Sequence, residues 1–278
     1  MWNQLLGANL RHAFHTVALL AVTAVLSACG GAPDRGSDRG ADPAPAVSVL
    51  PIRFSDADPH PEVRLATSNH PVHGIDVSRF QGPIDWFQVA QSGVSFAFIK
   101  ATEGGDLVDP LLRDHMQGAR RAGVPRGAYH FFYHCRPAAE QAQFFIDNVP
   151  REPGALPPVL DIEWTPTSPT CTIRREASVI RAEMAEFIRI VGAHYGQRPV
   201  IYTTLDFYHD NDLNLLGRQD FWLRSVAAHP RDAYPGQPWT FWQYTSTGLV
   251  PGITGKADIN AFVGGADLWA AWLESRRQ

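Results

Sequence analysis

Residues 95–132, SFAFIKATEGGDLVDPLLRDHMQGARRAGVPRGAYHFF, decide the fold of this chain. The apolar run Ser95–Thr102 predicts a buried strand, and the amphipathic run Pro110–Ala122, capped by Asp109, predicts a helix. A second apolar run, Arg126–Phe132, predicts the next strand. Two strands joined by a helix pair in parallel through a right-handed crossover, so this stretch indicates an α/β fold.

The alternation of strand and helix continues on both sides of this stretch and then fades after the fifth strand. Eight strands within about 210 residues suit a barrel somewhat smaller than the full form, which takes about 250. We therefore expect a TIM-like barrel with incomplete helical cover, (β/α)5(β)3. An open doubly wound sheet is the alternative, but no Gly-x-Gly-x-x-Gly follows the first strand. The predicted strands are His73–Phe80, Ser95–Thr102, Arg126–Phe132, Pro158–Trp164, Pro199–Thr204, Phe221–Ala227, Trp239–Ser246 and Ala257–Phe262.

Two carboxylates stand at the end of the fourth predicted strand. Asp161 and Glu163 are two residues apart, so on a strand both face the barrel interior at its carboxyl end. Unpaired buried charge is destabilising, which makes a purely structural role costly. Close carboxylates share a proton, and glycosidases use such a pair as acid and partner. A salt-bridged pair or a Ca²⁺ or Mg²⁺ site built from acidic strand ends is the alternative interpretation.

Two further acids occupy matching positions on other strands. Asp76 lies on the first predicted strand and Asp258 on the last. The first and last strands of a closed barrel are neighbours, so both acids should flank one side of the mouth. Alternatively, each acid pairs with an arginine or caps a turn.

Aromatic and amide side chains near the strand ends are candidate sugar-binding residues. We expect Tyr129, Tyr202, Trp242 and Tyr244 to contact the substrate, because aromatic faces suit sugar rings, and we include Asn260 with them. Many such aromatics serve only as core in any barrel. The histidines form no His-Glu-x-x-His or close Cys/His set, so no zinc site is expected.

The N-terminus has the features of an export signal. A weakly positive start and a short apolar run end in Leu26-Ser27-Ala28-Cys29, which resembles a bacterial lipobox. We expect residues 1–28 to be a lipoprotein signal peptide and Cys29 to carry the lipid that anchors the protein in the cell envelope. An ordinary signal peptide with an incidental cysteine is the alternative. Residues 29–65 are expected to form a flexible tether, and residues 66–278 the folded domain.

The remaining cysteines and the composition limit the other possibilities. An exported protein meets an oxidising compartment, so Cys135 and Cys171 are a disulfide candidate, with two buried free thiols as the alternative. The chain is 45% hydrophobic with a formal net charge of −4, which is typical of a globular domain and gives no basic face for nucleic acid. We expect a monomer.

Seven short motifs, in order, resemble those of glycoside hydrolase family 25, the Chalaropsis-type lysozymes. They are HGIDVS (73–78), FAFIKATEG (96–104), GAYHF (127–131), LDIE (160–163), PVIYT (199–203), WQYTS (242–246) and ADIN (257–260). Two departures from the family's usual pattern are Ala257 before Asp258, and a sixth strand, Phe221–Ser225, without the usual Ala-Tyr ending.

The resemblance implies a muramidase that hydrolyses the β-1,4 bond between N-acetylmuramic acid and N-acetylglucosamine in peptidoglycan. It implies Glu163 as general acid and Asp161 as a partner that orients the substrate's acetamido group or acts as nucleophile. It also implies Asp76 and Asp258 as supporting acids and Tyr129 as a substrate-orienting residue, and it implies no metal and no organic cofactor. A chitinase-like hydrolase on the same barrel and a non-catalytic wall-binding lipoprotein are the alternatives.

Overall fold

The computed structural model describes residues 49–276. The predicted signal peptide and the lipidation site at Cys29 lie outside these residues, as does most of the predicted tether. Within the described part of the chain, no helix is long and apolar enough to cross a membrane.

Eight strands close into a barrel within residues 49–276, which confirms the predicted fold. The first seven neighbour one another in chain order and run in parallel, whereas the eighth is antiparallel to both the seventh and the first. They are β1 (His73–Val77), β2 (Val94–Glu103), β3 (Arg126–Phe131), β4 (Val159–Asp161), β5 (Val200–Thr203), β6 (Phe221–Arg224), β7 (Phe241–Leu249) and β8 (Ala257–Phe262). Two-residue strands at Ser55–Asp56 and Leu107–Val108 pair with β7 and β2.

Helices cover the barrel unevenly. Each of β1 to β5 is followed by a helix, whereas β7 turns directly into β8, so the cover ends where the amphipathic pattern of the sequence fades. The helices are α1 (Pro61–Thr67), α2 (Trp86–Gln91), α3 (Leu112–Arg121), α4 (Ala138–Asn148), α5 (Ala177–Tyr195), α6 (Leu205–Asp210), α7 (Pro230–Ala233) and α8 (Ala266–Ser275).

The two faces of the strands bury two separate cores. The inner core includes Phe96, Phe98, Val159 and Phe241, and Trp269 of α8 packs into it. The outer core lies between the strands and the helices. Gly74 of β1 belongs to the inner layer, where an added Cβ would lie 2.4 Å from the Phe96 ring. Because the inner core is packed with rings, the polar inward side chains gather at its carboxyl end.

The folded part of the chain begins earlier than residue 66, which corrects the predicted boundary. Ser55–Asp56 adds an antiparallel strand to β7, and α1 packs Val63 into the outer core. A cavity of about 390 Å³ lies beneath this segment and reaches Tyr244 and Ile259. Residues 49–65 therefore pack against β7 and β8, the strands that no helix connects. The polar composition of this segment gave no indication that it packs in this way.

Candidate active site

A cleft of about 380 Å³ opens at the carboxyl end of the parallel strands. All four predicted acids line it, although they come from strands β1 and β8 and from the end of β4. The lining residues are Asp76, Val77, Ser78, Phe80, Gln81, Lys100, Tyr129, Phe131, Asp161, Glu163, Tyr202, Thr204, Trp222, Arg224, Gln243, Ser246 and Asp258.

Asp76 is held by two amide donors that approach the same oxygen. Gln243 Nε2 and Asn260 Nδ2 donate to Asp76 Oδ2 at 3.0 and 2.8 Å. The Gln243 carbonyl accepts from Tyr202 Oη–H at 2.9 Å, and the Asn260 carbonyl accepts from Trp222 Nε1–H at 2.7 Å. These partners fix both amides so that their NH₂ groups point at Asp76. The network therefore favours a negative charge on Asp76.

Asp258 lies directly opposite Asp76 in the antiparallel register of β8 and β1. Burial raises the pKa of Asp76 to about 6, against the lowering effect of the Asn260 and Gln243 donors. Burial and the charge of Asp76 raise the pKa of Asp258 to about 8. Asp76 is thus the more readily ionised acid of the pair, a division of the kind that acid and base chemistry requires.

Asp161 and Glu163 have different surroundings at the end of β4. Asp161 is the last residue of the strand and is buried, and its Oδ1 has no hydrogen-bond partner in residues 49–276. Burial and the neighbouring Glu163 charge raise the pKa of Asp161 well above its usual range. Glu163 lies beyond the strand and is partly exposed, and burial raises its pKa to about 7 despite the opposing effect of Arg224.

The backbone around Glu163 is fixed by the loops on either side. His134 Nε2 donates to the Glu163 carbonyl at 3.0 Å. Cys135, which follows His134 in the chain, forms a disulfide with Cys171, and their Cα atoms lie 5.7 Å apart. Thr165 Oγ1 donates to the Cys171 carbonyl at 2.6 Å. The loop that carries Glu163 is therefore fastened to the loop that follows β3.

Two cations line the cleft, and only one of them has a carboxylate partner within residues 49–276. Lys100 Nζ donates to Glu103 Oε2 at 2.6 Å and lies 4.6 Å from the centre of the Phe131 ring. Glu103 also accepts a hydrogen bond from the Tyr133 hydroxyl. Arg224, at the end of β6, forms no ion pair in the described chain.

The predicted sugar-binding residues divide into three groups. Tyr129 and Tyr202 line the cleft, where burial raises both phenol pKa values well above the usual range. Asn260 lies behind Asp76 and acts on it rather than lining the cleft. Trp242 and Tyr244 are a correction, because both belong to the outer core and point away from the cleft.

The alternation of inward and outward side chains along β7 explains this correction. It also explains why Gln243 was missed as a site residue. Phe241 and Gln243 face the interior, so Trp242 and Tyr244 must face outward. Trp242 Nε1 donates to the Ser225 carbonyl at 2.7 Å, and the Tyr244 hydroxyl bonds with His73 Nδ1 at 3.0 Å. The residue of this strand that acts in the cleft is Gln243, which lies between Trp242 and Tyr244 in the sequence. A polar glutamine among aromatic residues was the signal that could have identified it.

No group of three or more His, Cys, Asp or Glu side chains within residues 49–276 is arranged to hold a metal ion.

Comparison with known proteins identifies the family. Residues 75–253 match the family model described as glycosyl hydrolases family 25. The Escherichia coli K12 protein YegX is 35% identical over 224 residues, covering 78% of each chain. Lysozyme M1 of Streptomyces globisporus is 37% identical over 210 residues, covering 70% of this chain and 69% of that protein.

A solved family 25 glycosyl hydrolase from Bacillus anthracis has a closely similar fold. It superposes with a TM-score of 0.67 and 31% identity, covering 78% of this chain and 98% of that structure. The sequence match spans most of the barrel, and the structural match spans nearly all of the solved chain. This protein belongs to glycosyl hydrolase family 25.

Proposed function

We propose that this protein is a muramidase that hydrolyses the β-1,4 bond between N-acetylmuramic acid and N-acetylglucosamine in peptidoglycan. The observation that carries the proposal is the placement of Asp161 and Glu163 in one cleft of a family 25 barrel, where burial raises both carboxyl pKa values. The similarity to Lysozyme M1 supports the choice of peptidoglycan as substrate.

Glu163 has the properties of the general acid. It is the less buried of the pair, and a pKa of about 7 keeps a large share of it protonated near neutral pH. It donates its proton to the bridging oxygen as the bond from that oxygen to C1 of the muramic acid breaks. Water then supplies the hydroxyl group at C1, and the remaining proton of that water restores Glu163.

Asp161 stabilises the positive charge that develops at C1. Its unpartnered Oδ1 is available to accept the acetamido N–H of the sugar, and such a donor would favour the ionised carboxylate. The carboxylate then acts by one of two routes. It holds the acetamido group so that the carbonyl oxygen attacks C1, or it attacks C1 itself.

Mass spectrometry of fragments released from purified peptidoglycan tests the proposal. The full chain in detergent should release muropeptides that, after borohydride reduction, end in reduced N-acetylmuramic acid. Ends of reduced N-acetylglucosamine would instead indicate a glucosaminidase. Release of no fragments by the folded protein would favour a wall-binding role.

Glu163→Gln should lower the rate of fragment release by about 10²–10⁴-fold, because the amide keeps the shape but cannot donate the acid proton. The rate is measured on the same peptidoglycan after circular dichroism has shown that the variant is folded. Full activity in this variant would remove Glu163 from the general-acid role.

We also propose that the protein is exported and anchored to the cell envelope through a lipid on Cys29. The support is the pattern of a short apolar run ending in Leu26-Ser27-Ala28-Cys29. Cells fed radioactive palmitate should label the wild-type protein, and Cys29→Ala should abolish the label. Equal labelling of both would place the lipid elsewhere or reject acylation at this cysteine.

A further inference from the structure

Among residues 49–276, the guanidinium of Arg224 has no ion-pair partner, although it lies in a cleft that carries four carboxyls. The Arg224 backbone is fixed, since its carbonyl accepts from the Tyr234 hydroxyl at 2.6 Å. Its side chain lines the cleft, yet within residues 49–276 the guanidinium makes no hydrogen bond or ion pair. Lys100, the other cation of the lining, is already engaged by Glu103 at 2.6 Å.

This arrangement leaves a bidentate donor open to whatever enters the cleft. A guanidinium presents planar pairs of N–H donors that match the two oxygens of a carboxylate, which a lysine ammonium does not. The cleft's own carboxyls do not take up these donors, although Arg224 lies close enough to lower the pKa of Asp76, Glu163 and Asp258. The donors of Arg224 are therefore available to a ligand.

The substrate class supplies a reason for such a residue. The charge on Asp76 and on the ionised fraction of Glu163 gives the cleft a negative potential that opposes the entry of an anionic polymer. Peptidoglycan carries carboxylates on its stem peptides, and on the lactyl group of muramic acid where the peptide has been removed. Neutral glycans of N-acetylglucosamine carry neither.

We propose that Arg224 binds a carboxylate of the glycan strand and so determines the preference for acidic over neutral sugar polymers. The inference rests on the proposed muramidase function and adds a specificity residue to it. The two sources of the carboxylate, stem peptide and lactyl group, share one chemistry and are separated by the choice of substrate.

The test compares Arg224→Gln with the wild type on three substrates. The first is intact peptidoglycan, and the second is the same wall after its free carboxyls have been coupled to methylamine with carbodiimide. The third is glycan stripped of its peptides by an amidase, which frees the lactyl carboxylate. Each enzyme is assayed at its own pH optimum, so that a changed acid pKa does not mimic a binding effect.

Arg121→Gln is the matched control. Arg121 is exposed in the last turn of α3, which leads into β3 and so lies at the opposite end of the barrel from the cleft. This control should match the wild type on all three substrates. Arg224→Lys keeps the positive charge but loses the paired N–H donors, and it replaces Arg224→Gln in the test if that variant is unstable. It should lose activity on the same substrates, but by a smaller factor.

A charge-assisted hydrogen bond predicts a loss of kcat/KM of about 10- to 100-fold on the recognised substrate. A loss on intact wall alone would identify a stem-peptide carboxylate, and a loss on stripped glycan alone the lactyl carboxylate. An equal loss on all three substrates, or no loss on any, would overturn the proposal. Failure of the wild type to cleave any of them would instead reject the muramidase function.

Discussion

At the scale of single residues, the site depends on how the surroundings of each carboxyl set its charge. Asp76 receives two oriented donors, whereas Asp161 has an oxygen without any partner in the described chain. The same residue type therefore has two different tasks within one cleft. The donors that distinguish them come from Gln243 and Asn260, neither of which carries a charge.

Asn260→Ala should shift the acidic limb of the pH profile of kcat/KM upward by about one to two units. Loss of a hydrogen bond to a charged group costs about 1.5–3 kcal/mol, and one pKa unit corresponds to about 1.4 kcal/mol. The pKa of Asp76, now about 6, would rise because its ionised form loses a donor. Trp222→Phe should shift the limb in the same direction by a smaller amount, because it removes the donor that orients the Asn260 amide toward Asp76. An unchanged acidic limb in Asn260→Ala would show that the charge of Asp76 is not required.

At the scale of elements, the strands and their order were predictable because each forms an apolar run of its own. The inward face of β7 was missed because its outer face is as buried as its inner face, so hydrophobicity does not alternate, and the polar Gln243 was the sign that marks the inward face. In contrast, the chain neighbours of Asp161 are the apolar residues Leu160 and Ile162, which face the outer core. The alternation of polar and apolar residues therefore predicted that Asp161 faces inward. The short segment 49–65 has too little apolar content to predict its packing.

The disulfide joins two elements that carry the site, so its removal should affect both stability and activity. Cys135 and Cys171 are 36 residues apart, and a loop of that length predicts a stabilisation of about 3–4 kcal/mol. The double variant Cys135→Ser/Cys171→Ser should unfold at a lower urea concentration than the wild type. Reduction with dithiothreitol should lower the urea midpoint of the wild type toward that of the variant. Because His134 beside this bridge holds the Glu163 backbone, kcat should fall as well. Unchanged unfolding in both measurements would contradict a stabilising bridge.

At the scale of the whole molecule, the active site lowers the stability of the barrel. Four carboxyls with raised pKa values, Asp76, Asp161, Glu163 and Asp258, bind protons more tightly in the folded state than in the unfolded chain. The free energy of unfolding that they contribute is therefore lost as the pH rises through these values. The remainder of the barrel, with its two apolar cores, must compensate for this loss.

Glu163→Gln should raise the midpoint of thermal unfolding at pH 8.5 but not at pH 4. Its pKa rises from an ordinary 4.5 to about 7 on folding, so the native state loses stability as the pH rises through this range, and the full loss is present above it. At pH 4 the carboxyl is largely protonated in both states, and the neutral amide should make little difference. Differential scanning calorimetry at the two pH values measures this, and equal midpoints at pH 8.5 would contradict the raised pKa.

Docking of β8 completes the active site. Asn260, on the final strand, donates to Asp76, on the first, across 184 residues of chain. Asp258 meets Asp76 only once this last strand has docked between β7 and β1. A nascent chain that lacks β8 holds Asp76, Asp161 and Glu163 without Asp258 and without the Asn260 donor. Completion of the cleft is thus coupled to completion of the barrel, and an unfinished molecule is a poor hydrolase.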